Sequence, residues 1–478
     1  METYKIYFAG EFQSTNRDLE VRSPFSRELI ARTYLASEDD LNKAIEAALS
    51  VEKEMAQLPT YVRYEALMFI ASSLREQKEK FAHIIASEAA KPYRYAVGEV
   101  ERAIQTFTVA AEEAKRPPYE YITLDWTRPG YGKEGLVKYF PIGLVAGISP
   151  FNFPLNLAVH KIAPAIAAGN PIILKPSRHT PLSTLELAKI IDQTPLPKGA
   201  VSIVPTDREA GNILVTDERI KMLSFTGSPA VGWKMKQMAP PKKKVLLELG
   251  GNAGVIVSKT ADLDLALKKV IVGAYAYSGQ VCIHAQRVFV HKDIFDEFIQ
   301  RLIDETQKLK KGDPTHPDTD ISAMIEEKEA QRVEQWVNEA VQDGAKVLFG
   351  GKREFNFFQP TVLTGTKSNM KVWALEIFGP VVLVEPFETF DQAVDMINDS
   401  EYGLQAGVFT DSFKEMSYAL NNIEVGGVII NDVPTFRVDH MPYGGVKNSG
   451  YGREGLKYSI REQMEPRLMV MPNYHKLS

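Results

Sequence analysis

Between residues 143 and 249 the chain alternates short, mostly apolar runs with stretches of helical periodicity. The runs at 144–148, 171–174, 200–204, 222–225 and 245–249 are of strand length and mostly apolar at successive positions. A strand apolar on both sides needs cover on both faces, and a helix between consecutive strands makes them parallel. The intervening segments 157–168, 182–192, 210–215 and 230–238 have the helical period. A second strand–helix series runs from 253 to 430. The fold class is therefore α/β, with two doubly wound parallel-sheet domains. Ahead of the first series lie strands and turns at 5–12 and around Ser23-Pro24-Phe25-Ser26, then helical patterns at 38–58, 61–80, 81–89 and 95–115. Arg116-Pro117-Pro118 breaks the last of these. The segment 121–140 reads as a β-hairpin around Pro129-Gly130, and 463–471 as a final strand. The expected division is 1–120 with 141–250 as the first domain, 251–455 as the second, and 121–140 with 456–478 as a small β element.

Charge and composition narrow the function classes. A net charge of −5 argues against nucleic acid or an anionic membrane as the main partner. No apolar run approaches about 18 residues, the length that spans a bilayer. The segment Met1 to Phe8 lacks the apolar core of a signal peptide. A single cysteine in 478 residues excludes an intramolecular disulfide and suits a reducing cytoplasm. Neither metal nor membrane is called for.

That cysteine is Cys282, in Ser278-Gly279-Gln280-Val281-Cys282-Ile283. By itself it reads as a buried, inert filler; beside small residues it also reads as a nucleophile. Asn152, in Phe151-Asn152-Phe153-Pro154, falls where a parallel strand ends and a helix begins, the rim at which α/β folds hold ligands. It is either a helix N-cap or an amide donor to an oxyanion. Glu248, in Glu248-Leu249-Gly250-Gly251, is a carboxylate at the end of an apolar strand. Burial is costly for a charge, so it is either half of a buried ion pair or a general base of raised pKa.

Taken together and in order, Asn152, Glu248, Cys282 and Glu376 in Glu376-Ile377-Phe378-Gly379-Pro380 resemble the aldehyde dehydrogenase superfamily. The stretch from Met441 to Glu454 is similar to the family's C-terminal signature, and with the Gln280-Val281-Cys282 context it looks like the lactaldehyde dehydrogenase-like branch. The resemblance spans essentially the whole chain. It implies a Rossmann-like cofactor domain, a catalytic domain and an oligomerisation element, in the division given above. It also implies oxidation of an aldehyde by NAD or NADP, with Cys282 as nucleophile, Asn152 as oxyanion donor and Glu248 as the base that hydrolyses a thioester.

The same resemblance assigns cofactor contacts to Ile148, Ser149, Phe151, Lys175, Ser177, Arg178, Ser228, Gly232, Leu249, Glu376 and Phe378. The G-x-G-x-x-G fingerprint is absent; Gly227-Ser228-Pro229, between a strand and a helix, takes its place or is a plain helix-capping turn. Arg178 stands where NAD-preferring members carry a glutamate, which favours NADP. His160, Val281, Ile283 and Arg437 are candidates for the substrate pocket. His160 also reads as a structural histidine, and Arg437 as a loop ion pair with Asp439. The hairpin and the tail strand make poor monomer edges; the resemblance implies that such pieces join across subunits into a continuous sheet, so a homodimer or homotetramer is expected. Two other classes remain open at this point: a cysteine-dependent thioesterase or hydrolase, and an inactive structural member of the same fold.

Overall fold

The computed structural model describes residues 2–473. Met1 and the end of the expected tail, 474–478, lie outside the described residues. The apolar runs form two large sheets. The first has eight strands in the order Gly450–Tyr451, Lys244–Glu248, Met222–Thr226, Val145–Ile148, Ile172–Lys175, Val201–Ile203, Ile6–Phe8 and Glu11–Gln13. Its five central strands are parallel; the N-terminal hairpin and Gly450–Tyr451 join antiparallel at the two edges. Register brings the carboxyl ends together. Thr226 lies opposite Glu248, Phe225 opposite Ile148, and Ile148 opposite Lys175. Every chemistry-bearing residue that follows one of these strands therefore emerges on the same rim.

The helices that cover this sheet have local causes. Ser37 and Asp40 form a reciprocal capping box at the start of Glu38–Ser50. The helix Asn156–Ala168 is buried along its whole length, which explains its Ala- and Ile-rich composition. It ends at Gly169, whose φ of 88° is left-handed and suits glycine.

The second sheet has seven strands in the order Lys346–Phe349, Thr361–Thr364, Val381–Phe387, Arg287–His291, Gly254–Val257, Gln405–Phe409 and Gly427–Ile430. All pairs are parallel except the edge strand Lys346–Phe349. Separate apolar clusters, one around Phe289 and Ile377 and the other around Val255 and Phe298, pack this sheet. The helix Leu263–Tyr275 leads into a tight turn, Ala276–Gly279, in which Tyr277 and Ser278 both have positive φ (50° and 54°). That turn delivers Cys282.

The C-terminal boundaries differ from the expected ones in two places. The strand Gly450–Tyr451 falls within 251–455 yet pairs with Lys244–Glu248 of the first sheet, Gly450 opposite Glu248. The helix Leu456–Glu462, expected in the β element, packs Leu456 and Ile460 into the core beneath the first sheet. Both follow from burial: a two-residue edge strand and a short helix are held by tertiary partners, not by local pattern. The third sheet is the expected one. Met464–Pro472 pairs antiparallel with Lys133–Pro141 over nine positions, and Glu120–Thr123 flanks it. Leu468, Met469 and Val470 on its outer strand are about half exposed (50%, 50% and 51%). Among the described residues no helix is long and apolar enough to cross a membrane.

Candidate active site

The two large sheets face each other across a cavity of about 420 Å³ that Asn152, Glu248, Cys282, Glu376, Ser228 and Phe378 help to line. Asn152 is buried, and its Nδ2 donates to the carbonyl of Gln280 at 2.9 Å. The following helix starts only at Asn156, so Asn152 is not its cap. Instead it ties the rim of the first sheet to the segment that carries Cys282. Two further contacts hold this junction. Glu99 Oε1 accepts from the backbone N–H groups of Leu155 and Asn156 (2.9 and 3.1 Å). The ammonium of Lys91, ion-paired with Glu99, lies 3.7 Å from the Phe153 ring centre and 4.6 Å from that of Tyr277.

Cys282 is partly exposed, and its Sγ lies 3.2 Å from the hydroxyl of Tyr443. Burial of the thiol pushes it up to about 11, against the hydrogen bond with Tyr443 and the charge of Arg437. Val281 and Ile283 flank it but do not line the cavity; they pack with Phe151, Phe153 and Leu404. Glu248 is buried, and neither of its carboxylate oxygens has a hydrogen-bond partner. Burial first, then the charge of Glu454, raises it well above the usual carboxylate range. The ion-pair alternative thus finds no partner, and an unsatisfied buried carboxylate of raised pKa is suited to accept a proton.

Glu454 is the opposite case. Burial alone would raise it, but Lys161, His160 and Arg437 hold it below its ordinary value. Lys161 Nζ reaches Thr226 Oγ1 (2.8 Å), Ser224 Oγ (3.2 Å) and Glu454 Oε1 (3.3 Å). Arg437 Nη2 donates to Glu454 Oε2 at 3.0 Å, and its guanidinium carbon lies 3.6 Å from the Tyr443 ring centre. The loop pairing of Arg437 with Asp439 is therefore replaced by one with Glu454. Asp439 is taken by Arg102 and by His160, both at 2.7 Å. His160 is 2% exposed and does not line the cavity. Its helix turns it inward, so the structural reading of this histidine replaces the substrate-pocket one. Tyr443, Glu454, Lys161 and Arg102 had no role in the sequence reading. Their partners are distant in the chain, and only the Met441 to Glu454 signature pointed at two of them.

Several of the cofactor candidates lie on the strand-end rim or line the cavity beside it. Glu376 Oε1 accepts from Gly251 N–H at 3.2 Å, and burial pushes its carboxyl up to about 8. A Cβ on Gly250 would come 1.9 Å from Glu376 Oε2, so a larger residue there would displace that carboxylate. Phe378, at φ 47°, meets Phe151 edge-on at 5.9 Å. Ser228 precedes the helix Pro229–Met238, and its side chain makes no cap bond. Gly232 faces Leu249, which a Cβ would strike at 2.4 Å. Ser149 Oγ is buried without a partner, directly after Ile148 on the rim. Burial, with Arg178 adding repulsion, lowers Lys175 to about 8. An orphaned hydroxyl, an uncommitted helix start and a lysine on one strand-end rim fit a dinucleotide phosphate and ribose. Ser177 accepts from His179 N–H at 3.2 Å; Arg178 is exposed and borders a different cleft, with His179, Arg22 and Glu20. Among the described residues no group of three or more His, Cys, Asp or Glu could hold a metal ion.

A doubly wound pair of domains with a thiol, an amide and an unpaired carboxylate around one cleft defines an NAD(P)-dependent aldehyde oxidoreductase. The chain belongs to the aldehyde dehydrogenase family, which residues 12–469 match. It is 43% identical over 472 residues to a 3-sulfolactaldehyde dehydrogenase of Priestia aryabhattai, covering 98% of each chain. It is 39% identical over 473 residues to a lactaldehyde dehydrogenase of Methanococcus aeolicus, covering 98% of this chain and 99% of that one. Among solved structures, aldehyde dehydrogenase 21 of Physcomitrella patens, in complex with the reaction product succinate, superposes with a TM-score of 0.97 at 43% identity over 99% of each chain.

Proposed function

We propose that the protein oxidises a short hydroxyaldehyde, in the first instance one that also carries an anionic group, to the carboxylic acid through a cysteine-bound acyl intermediate. The observation that carries this reading is the meeting of Cys282, Asn152 and the partnerless Glu248 at one cavity. Cys282 thiolate adds to the aldehyde carbon, and the carbonyl oxygen becomes an oxyanion. The Asn152 amide, fixed by Gln280, and the Cys282 backbone N–H receive that charge. When bound, NAD(P)+ supplies the acceptor for the hydride that leaves the thiohemiacetal carbon. Ser149, Lys175, Ser228 and Glu376 would hold it. Glu248 then takes a proton from water, the hydroxide attacks the thioester, and the carbonyl re-forms as the thiolate of Cys282 leaves.

The substrate class is supported by the sulfolactaldehyde and lactaldehyde relatives. Arg437, a candidate for the substrate pocket, does not line the cavity; it is buried between Tyr443 and Glu454. The thioesterase alternative leaves the Ser149, Lys175 and Glu376 sites without use, and the inactive alternative leaves an unpartnered buried carboxylate without use. For the cofactor we favour NADP, on the charge of Arg178. We also infer a homodimer or homotetramer in the cytoplasm. The exposed apolar edge of Met464–Pro472 supports assembly through a second copy, and the single unpaired thiol suits a reducing compartment. The test is a panel of aldehydes, sulfolactaldehyde and lactaldehyde included, run with each cofactor and followed by the absorbance of reduced nicotinamide. Turnover with the hydroxyaldehydes is expected; absence of cofactor reduction with every aldehyde would overturn the reading.

A further inference from the structure

Among the described residues, the nucleophile has one direct polar side-chain contact, and it is with a tyrosine. Tyr443 Oη lies 3.2 Å from Cys282 Sγ. Tyr443 is itself buried, packed with Val281, Ile283, Phe151 and Phe153. Its ring is covered by the Arg437 guanidinium at 3.6 Å, and Arg437 is fixed by Glu454 at 3.0 Å. Glu454 is fixed in turn by Lys161 at 3.3 Å. The result is one connected chain, Lys161–Glu454–Arg437–Tyr443–Cys282, that ends on sulfur.

We propose that Tyr443 is a catalytic residue: its phenolic O–H donates to Cys282 Sγ and holds the nucleophile as thiolate, while Arg437 acts as the positioning residue behind it. The proposal rests on the reading of Cys282 as nucleophile. In the thiol state either partner can donate. A thiolate has no proton, so in that state only the phenol can, and the contact then becomes a charge-assisted bond. The thiol proton leaves to solvent; no other bond changes in this step. A cation over the ring face makes the phenol a stronger donor, so Arg437 reinforces the bond without touching sulfur. The remaining charged groups that face Cys282 are Glu248 and Glu376, both of which disfavour a thiolate, and Arg437, which favours it. The phenol–cation pair therefore opposes two carboxylates and the low-dielectric surroundings, and without it the thiol would be raised further still. Once sulfur has bonded to the aldehyde carbon it is a poor acceptor, so the bond is strongest in the state that attacks.

The lone cysteine makes the test direct, because every S-carboxamidomethyl cysteine found in the chain reports on Cys282. The full-length protein and its Tyr443→Phe variant are treated with iodoacetamide across pH. The S–C bond forms as the C–I bond breaks, iodide leaves, and the thiol proton passes to buffer. Phenylalanine keeps the ring and its packing and removes only the hydroxyl. The expected result is an alkylation midpoint about one unit higher in Tyr443→Phe, which is about tenfold less thiolate at neutral pH. The burst of reduced cofactor at neutral pH should slow by about the same factor and recover as pH is raised, with the dissociation constant of the cofactor unchanged. A merely structural role would not give recovery with pH. An alkylation midpoint that stays in place or falls overturns the proposal. Failure of the underlying reading looks different: Cys282→Ser would then keep its turnover, whatever the alkylation profile of Tyr443→Phe.

Discussion

The two ends of the cleft are built in opposite ways. At the nucleophile end, side chains are committed to each other: Asp439 to Arg102 and His160, Glu454 to Lys161 and Arg437, Asn152 to Gln280. At the dinucleotide end they are left open: Ser149 Oγ has no partner, Ser228 caps nothing with its side chain, and Arg178 stands in solvent. A hydrogen-bonded buried network resists rearrangement, whereas an unsatisfied polar group gains when a ligand supplies its partner. On the mechanism proposed above, reacting atoms are held before substrate arrives, and the cofactor completes its own site on binding. Glu248 is the carboxylate left out at the committed end. Both of its oxygens are buried and unpartnered, which supports its proposed role as the group that accepts a proton.

The strongest way to break this contrast is at sulfur. Cys282→Ser should bind cofactor normally and lose aldehyde oxidation by at least about two orders of magnitude, because a hydroxyl ionises far less readily than a thiol. Steady-state turnover with a cofactor-binding titration checks it, and near-normal turnover would remove the mechanism.

Glu248→Gln should come next in size. It should release about one reduced cofactor per active site in a rapid-mix experiment and then stall, since only hydrolysis needs the base. Loss of the burst would place Glu248 earlier in the reaction. The same residue sets a pH dependence. Burial raises Glu248, and the base must be ionised to act, so steady-state turnover should fall with decreasing pH before the ordinary carboxylate range is reached. A profile flat down to that range would count against a buried base.

Gly250→Ala sharpens the contrast from the open end. Its Cβ would press on Glu376 Oε2, and overpacking of this kind costs about 1–3 kcal/mol. The expected outcome is a cofactor KM raised by roughly tenfold, with the alkylation rate of Cys282 little changed. Equal loss in both would show that the two ends are mechanically one. The smallest effect is at Arg178. Arg178→Glu should move preference from NADP toward NAD by about tenfold, since a charge-assisted contact to the 2′-phosphate contributes roughly 1.5–3 kcal/mol before screening. Equal efficiency with both cofactors in the parent, unchanged in the variant, would show that this exposed side chain does not read the ribose.

Much of the frame was legible because apolar runs on both faces admit few arrangements. The runs at 144–148, 171–174, 222–225 and 245–249 match strands of the first sheet to within a residue or two. Gly450–Tyr451 was not legible. A two-residue strand carries no periodicity, and its place depends on a partner some two hundred positions earlier. In the site, Cys282, Glu248 and Asn152 stood out because each is an unusual residue for its local setting. Glu454 and Lys161 did not, since a charged residue in a loop or on a helix is ordinary until its burial is known. Tyr443 was visible as part of a signature, but a hydroxyl–sulfur contact between residues 161 positions apart belongs to tertiary structure alone. His160 shows the reverse error. A histidine one turn beyond a catalytic segment invites a functional role, and helix geometry turned it into the core.

The pairing of Gly450 with Glu248 also orders events during synthesis. A nascent chain leaves the ribosome from its N-terminus, so the strand Lys244–Glu248 is made long before the partner that covers its free edge. Until Gly450 has been made, that edge is open to any other extended segment, including one from a neighbouring polysome chain. Arg437, Tyr443 and Glu454 are made within a few residues of that same partner. The proposed chemistry therefore waits on the same stretch that closes the sheet. A message truncated even slightly before codon 450 should yield a sticky, inert polypeptide, not a partly active one.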